Sequence, residues 1–216
     1  MYRPRVLIAD YHALLRAAFQ KLLEQDCEVV GEVADGRALL EATPKLKPDI
    51  ILMDVAMPLL NGLDAGRQLK RTMPNVRLIF LTASEDPDVA REAFRIGASG
   101  YVIKNSAASE LTQAIHEAMC GRSYVTPLIT PTLADLLRRE SHEGETREHL
   151  TVRQREVLQL LAEGYSMKKA ASLLHVTPRT IAFHKYRLMG ELGLKNNAGL
   201  FQFAMKHGLV FAPARR

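Results

Sequence analysis

Short apolar runs and longer amphipathic stretches alternate five times along the first 120 or so residues. "RVLIAD", "EVVGEV", "DIILMD", "VRLIFLTA" and "GYVIK" are apolar and rich in β-branched residues, the pattern of strands buried on both faces. Between and after them lie "HALLRAAFQKLLEQ", "DGRALLEATPKLK", "GLDAGRQLKRTM", "PDVAREAFRIG" and "SELTQAIHEAMCG". The first of these carries Leu14, Leu15, Ala18, Phe19, Leu22 and Leu23 at helical spacing. Five strand–helix units in a row predict an α/β domain: a (βα)5 doubly wound parallel sheet with helices on both faces. That domain is assigned to residues 1–124.

Beyond residue 124 the strand pattern stops. "TPLITPTLADLLRRESHEGETREH" mixes prolines with charges, so residues 125–146 are expected to be a linker with a short helix in "TLADLLRR". Residues 147–216 are helical throughout, an all-α domain of four helices. "TVRQREVLQLLAEG" opens with Thr151 as cap, "SMKKAASLLH" with Ser166, and "TPRTIAFHKYRLMGELG" with Thr177 followed by Pro178. "NAGLFQFAMKHG" is the fourth, with Leu200, Phe201, Ala204 and Met205 on one stripe.

Charge separates the two halves. Residues 1–124 carry 15 Lys/Arg and 16 Asp/Glu, whereas residues 147–216 carry 12 against 4. A polyanionic partner is therefore expected for the C-terminal part alone. No apolar run is long enough to span a bilayer and no secretory leader is evident, so a cytoplasmic location is expected. Cys27 and Cys120 fit no metal spacing and are expected as two buried thiols.

Sheets of this kind bind ligands at the carboxyl ends of their strands. Here those ends are Asp10, Asp54, Thr82 and Lys104. Asp54 is a candidate nucleophile, because a carboxylate can accept a phosphoryl group as an acyl phosphate. The incoming group is anionic; Lys104 can balance charge and Thr82 can donate a hydrogen bond to it. Pro58 and Gly62 shape a loop after Asp54 that can turn the Ala56 carbonyl toward a metal. The competing reading of Asp54 alone, a helix cap, does not account for four complementary groups on four strand ends.

These motifs resemble the receiver domain of two-component response regulators. "DVAMPLLNG" is similar to the family's acceptor segment, "FLTAS" to its switch strand and "GASGYVIKN" to its lysine segment. The resemblance implies that Asp54 is the phosphoacceptor, with a histidine kinase as donor, Thr82 and Tyr101 the switch pair, and Lys104 the family's lysine. It also implies a Mg²⁺ site at Asp10, Asp54 and the Ala56 carbonyl. Receivers place two adjacent acids after the first strand; here Tyr11 stands in the second position. A neutral phenol with a pKa of ~10 is a poor substitute for a carboxylate. A weakened Mg²⁺ site is therefore expected, and with it phosphorylation that is impaired or absent; the opposing reading is a tolerant site in which a water replaces the missing carboxylate and Asp54 is still phosphorylated.

"SMKKAASLLHVTPRTIAFHKYRLMGEL" has the helix-turn-helix layout, with the second helix suited to the major groove of double-stranded DNA. Residues 147–216 resemble the LuxR-type effector domain, so the whole chain is similar to response regulators of the NarL/FixJ type. Lys168, Lys169, Arg179, Lys185, Arg187 and Lys195 lie on or beside the helix pair and suit phosphate contacts. Thr180, Ala182, Phe183, His184 and Tyr186 complete the candidate DNA-reading set, with Ile181, Leu188 and Leu192 facing inward. Phe183 either meets a thymine methyl or packs on the preceding helix. His184 has no second ligand at metal spacing, and His12, His116 and His175 likewise carry no metal signature. The last helix, by the same resemblance, supplies a homodimer contact.

Other classes fare less well. An aspartate-nucleophile phosphatase needs an acid two residues after Asp54, where this chain has Ala56. No phosphate-cradling glycine motif follows the first strand. A pure protein-interaction adaptor leaves the C-terminal cationic surplus without purpose. A DNA-binding transcription regulator is the reading to test, with phosphorylation-independent control as its variant.

Overall fold

A computed structural model describes residues 2–134, 150–206 and 208–210 of the chain. They form two compact units, one holding the sheet and one the C-terminal helices.

In the first unit the strands are β1 (Arg5–Ala9), β2 (Glu28–Val33), β3 (Ile50–Asp54), β4 (Arg77–Thr82), β5 (Gly100–Ile103) and β6 (Tyr124–Val125). They pair in the order β2-β1-β3-β4-β5-β6, all parallel. The five expected helices are α1 (Ala13–Leu23), α2 (Gly36–Leu46), α3 (Gly62–Thr72), α4 (Pro87–Ile96) and α5 (Ala107–Met119). Strand order reverses between β1 and β3, which opens a crevice at the carboxyl ends where Asp10 and Asp54 lie. Every residue of β3 is buried, as is the rest of β1 after Arg5.

Three details depart from the sequence-based expectation. The sixth strand, only two residues long, continues the sheet past residue 124, and Ile129 and Leu133 beyond it are buried. Residues 130–134 are helical; the rest of the expected "TLADLLRR" helix lies outside the described residues. Cys27 is buried as expected but Cys120 is exposed, because it follows the last turn of α5. Leu14, counted on the apolar stripe of α1, is 83% exposed, and the stripe that packs is Phe19 and Leu23 with Leu15 and Leu22.

Gly62 fixes the loop after Asp54. A Cβ there would lie 2.2 Å from the Asp54 carbonyl oxygen and 3.0 Å from Val55 Cα, while the Gly62 N–H donates to the Val55 carbonyl at 3.0 Å. Only glycine lets α3 begin against the backbone of the strand end. Gly62→Ala is expected to lower the unfolding free energy by about 1–3 kcal/mol, since backbone rather than a flexible side chain must move; urea denaturation measures it.

The second unit contains α6 (Val152–Ala162), α7 (Met167–Leu173), α8 (Pro178–Glu191) and α9 (Asn197–Lys206). The expected caps form. Thr151 and Gln154 make a reciprocal capping box, Ser166 accepts from the Lys169 N–H and Thr177 from the Thr180 N–H. His175 takes a left-handed conformation (φ 54°) and turns the chain between α7 and α8. Val157, Leu160, Ala170, Ala171, Leu174 and Ile181 form one core; Leu158, Leu188, Leu200, Ala204, Leu209 and Val210 form another. Leu192 packs at the edge of the second core. On α9 the inward stripe is Leu200 and Ala204; Phe201, expected on that stripe, is 39% exposed.

Candidate functional site

The carboxyl ends of β1, β3 and β5 bring three charged groups into contact. Lys104 Nζ lies 2.7 Å from Asp10 Oδ2 and 2.8 Å from Asp54 Oδ2. Asp10 is inaccessible and Asp54 is 1% exposed. Two buried carboxylates thus share one ammonium. Asp54 Oδ1 accepts from the Ala56 N–H at 3.0 Å, so the loop that Gly62 holds aims the carboxylate. Asp54 caps no helix: Asn61 caps α3 instead, accepting from the Asp64 N–H. Burial raises the Asp54 carboxyl above its usual range; Lys104 pulls it back and Asp10 pushes it up again.

Thr82 ends β4 in full burial, with its hydroxyl oxygen accepting from the Ser84 N–H at 3.0 Å. Tyr101 on β5 is wholly inaccessible, and that burial pushes its phenol far above the ordinary range. Tyr11, which stands in the place of the second acid, is 59% exposed.

His12 is a neighbour of the acidic rim that spacing did not reveal. Its backbone N–H donates to Asp10 Oδ1 at 2.8 Å and its Nδ1 lies 3.1 Å from the same oxygen. Ligand atoms of Asp10, His12 and Asp54 all fall within 4.8 Å of one another. The expectation that His12 carries no metal signature is therefore corrected. The signal was present only as the Asp-x-His spacing across a strand-to-helix turn, with His12 at the cap of α1. Arg16 steadies this turn by donating from Nη1 to the Asp10 carbonyl at 2.6 Å.

Mg²⁺ prefers oxygen ligands in near-octahedral array. The side chains here offer two carboxylates and one nitrogen, with Ala56 as the candidate carbonyl. The two carboxylates are the part of that donor set that suits Mg²⁺, and the His12 nitrogen is the part that does not.

In the second unit, Arg179, Phe183, Tyr186 and Arg187 recur at helical spacing on one exposed face of α8, opposite the buried Ile181 and Leu188. Phe183 is 59% and Tyr186 63% exposed, so Phe183 is not packed away on the preceding helix. Lys168 and Lys169 are exposed on α7. Lys185 sits 5.7 Å from the Tyr186 ring centroid. Arg187 is held by Glu191 at 2.7 Å. Ala182 is half-buried, and Thr180 is drawn into the cap, its hydroxyl 2.9 Å from that of Thr177. His184 is half-buried; burial, then Arg153 and Arg187, lower its pKa and favour the neutral ring.

A doubly wound receiver sheet with an acidic rim, joined in one chain to a capped helix-turn-helix, defines a class: two-domain regulators of transcription. Comparison with known proteins agrees. Residues 6–116 match the response regulator receiver domain, and residues 148–204 match the bacterial regulatory proteins of the luxR family. The chain belongs to the response regulators that carry a LuxR-type DNA-binding domain. It is 29% identical over 210 residues to the response regulator GacA of Pseudomonas aeruginosa, covering 96% of this chain and 98% of that one. It is 32% identical over 209 residues to the response regulator protein VraR of Staphylococcus aureus, covering 95% and 98%. Among solved structures it resembles RcsB of Salmonella typhimurium, at TM-score 0.64 and 28% identity, covering 95% of this chain and 98% of that chain. It also resembles a complex of RcsB with DNA, at TM-score 0.60 and 27% identity over 94% and 98% of the two chains. Among the described residues, no helix is long and apolar enough to cross a membrane.

Proposed function

We propose that this response regulator acts in the cytoplasm as a homodimeric transcription factor, reading double-stranded DNA through α7 and α8, and that its receiver takes a phosphoryl group on Asp54 inefficiently. The observation that carries the regulatory half is the Asp10–Lys104–Asp54 triad on the strand ends. A carboxylate oxygen of Asp54 attacks the phosphorus of a phosphohistidine on a kinase. The P–O bond forms as the P–N bond breaks, and the electron pair returns to the imidazole nitrogen. Lys104 balances charge on the phosphoryl oxygens and Thr82 donates its hydroxyl proton to one of them. Low efficiency follows from Tyr11, which leaves the pocket one carboxylate short and the site poorly matched to Mg²⁺. An RcsB receiver structure obtained with phosphomimetic BeF3− makes the same site of a relative the natural comparison.

The protein works as a regulator rather than an enzyme in its own right, since Ala56 supplies no acid to turn the acyl phosphate over. Phosphorylation-independent control is the second reading. It is favoured by Lys104, whose ammonium lies 2.7 Å from Asp10 Oδ2 and 2.8 Å from Asp54 Oδ2 and so offsets the charge of both carboxylates itself.

Intact-mass measurement after incubation with acetyl phosphate and Mg²⁺ separates these readings. A small phosphorylated fraction is expected, absent in Asp54→Asn and enlarged in Tyr11→Asp. Incorporation that survives Asp54→Asn removes Asp54 from the role. No incorporation in wild type or in Tyr11→Asp, with DNA binding intact, establishes the second reading.

A further inference from the structure

The carboxylate of Asp10 is divided between two partners. Its Oδ2 faces the Lys104 ammonium at 2.7 Å; its Oδ1 faces the His12 imidazole nitrogen at 3.1 Å. Two donors bound cis to one metal at ~2.1 Å each stand ~3 Å apart, and trans donors ~4.2 Å apart. The Asp10–His12 separation, which is a hydrogen bond between the two side chains, is also that of a cis pair, and the 4.8 Å limit on the whole Asp10–His12–Asp54 group admits a third ligand on the same ion.

The charges leave room for a cation. Asp10 and Asp54 are almost wholly buried, yet one ammonium serves both. Neither Asp10 Oδ2 nor Asp54 Oδ2 has a hydrogen-bond partner beyond that ion pair. The His12 side chain is 53% exposed, so its imidazole is within reach of an ion in solution. An imidazole among carboxylates selects first-row transition metals over Mg²⁺, because nitrogen is a softer donor than the oxygens Mg²⁺ demands.

We propose that Asp10, His12 and Asp54 form a binding site for a divalent transition metal of the Mn²⁺–Zn²⁺ series, with the His12 imidazole as the selecting ligand. This rests on reading the strand-end rim as a cation pocket, and it replaces Mg²⁺ there with a nitrogen-preferring ion. Lys104 keeps the Oδ2 side of Asp10 while the metal takes the Oδ1 side, so both cations coexist.

The test is titration of the chelator-treated full-length protein with Co²⁺, followed by its visible absorption, in a Cys120→Ser background. That substitution removes a competing imidazole–sulfur pair, His116 and Cys120, which lie 3.8 Å apart. One Co²⁺ per chain is expected, with Mg²⁺ failing to displace it at roughly a hundredfold excess. His12→Gln is expected to weaken Co²⁺ binding on the order of 10–100-fold while leaving Mg²⁺ affinity unchanged. Asp10→Asn is expected to weaken both, and Tyr11→Phe neither. Unaltered Co²⁺ binding in His12→Gln, or displacement by equimolar Mg²⁺, overturns the proposal. Either result alongside intact DNA binding and Asp54-dependent phosphorylation leaves the preceding functional reading in place, whereas loss of those two properties in wild type overturns that reading instead.

Discussion

Lys104→Met is expected to lower the unfolding free energy by about 3–5 kcal/mol at pH 7.5, the cost of leaving buried charges without their partner. Asp10 and Asp54 are both inside the protein and both lean on the one ammonium. Without it, two like charges face each other in a medium that screens them poorly. The variant can escape only by protonating a carboxyl, and this sets the pH dependence. Burial already raises the Asp54 carboxyl in the folded protein, so the fold holds this proton more tightly than the unfolded chain does. A carboxyl of that kind favours the fold while protonated, and its contribution falls as pH climbs from the unfolded value, ~3.9, toward the folded one. Lys104 is the main influence holding the folded value down. Its removal moves the upper end of the window upward. The variant should therefore lose stability as pH rises above the unfolded value, over a wider span than the wild type does, and the gap between them should narrow in acid. Urea unfolding at several pH values, with chelator present, measures this. Asp10→Asn in the Lys104→Met background should restore part of the loss. A Lys104→Met protein as stable as wild type at pH 7.5 would show that the triad is not held as described.

The triad was legible in the sequence because strand ends are. Asp54 and Lys104 each close an apolar run, and a parallel sheet sends such ends to one rim whatever lies between them. His12 was not legible for the opposite reason. It lies in a turn, where two residues of separation say nothing about direction; only the backbone bond from its N–H to Asp10 Oδ1 folds the ring back over the acid. Leu14 misled because helical spacing marks a stripe without saying how wide the buried part is, and α1 buries a narrower one centred on Phe19 and Leu23. The two residues of β6 were too short to show alternation. In the C-terminal unit the caps were plain, since Thr151, Ser166 and Thr177 each precede a helical run. The exposure of Phe183 was open from sequence, because a lone aromatic on a helix can lie on either side of the boundary between core and surface.

Substituting Arg179 and Lys185 together by alanine is expected to weaken binding to any duplex on the order of a hundredfold near 0.15 M salt, and to reduce the slope of log K against log salt by about two per protomer. Arg179 stands on the exposed face of α8 with no ion-pair partner among the described residues, and Lys185 leans on the neighbouring Tyr186 ring. In the proposed DNA-reading role both would meet phosphates. Arg187 should matter less, since Glu191 already holds it at 2.7 Å and must be given up on binding. Phe183→Ala is the contrasting case. An exposed ring carries no charge, so the salt slope should stay the same while discrimination at one base step falls by about 1–3 kcal/mol, the range for a good contact to a base edge or thymine methyl. Two protomers double each effect on a site with half-sites about one helical turn apart, ~34 Å, and should leave single half-sites bound weakly. Gel shifts across a salt series with the full chain, on selected and on random duplexes, separate the two behaviours. None of these side chains is buried in a core, so thermal unfolding should be unchanged. If the double variant binds random DNA as tightly as wild type at every salt concentration, the exposed face of α8 is not the surface that meets DNA.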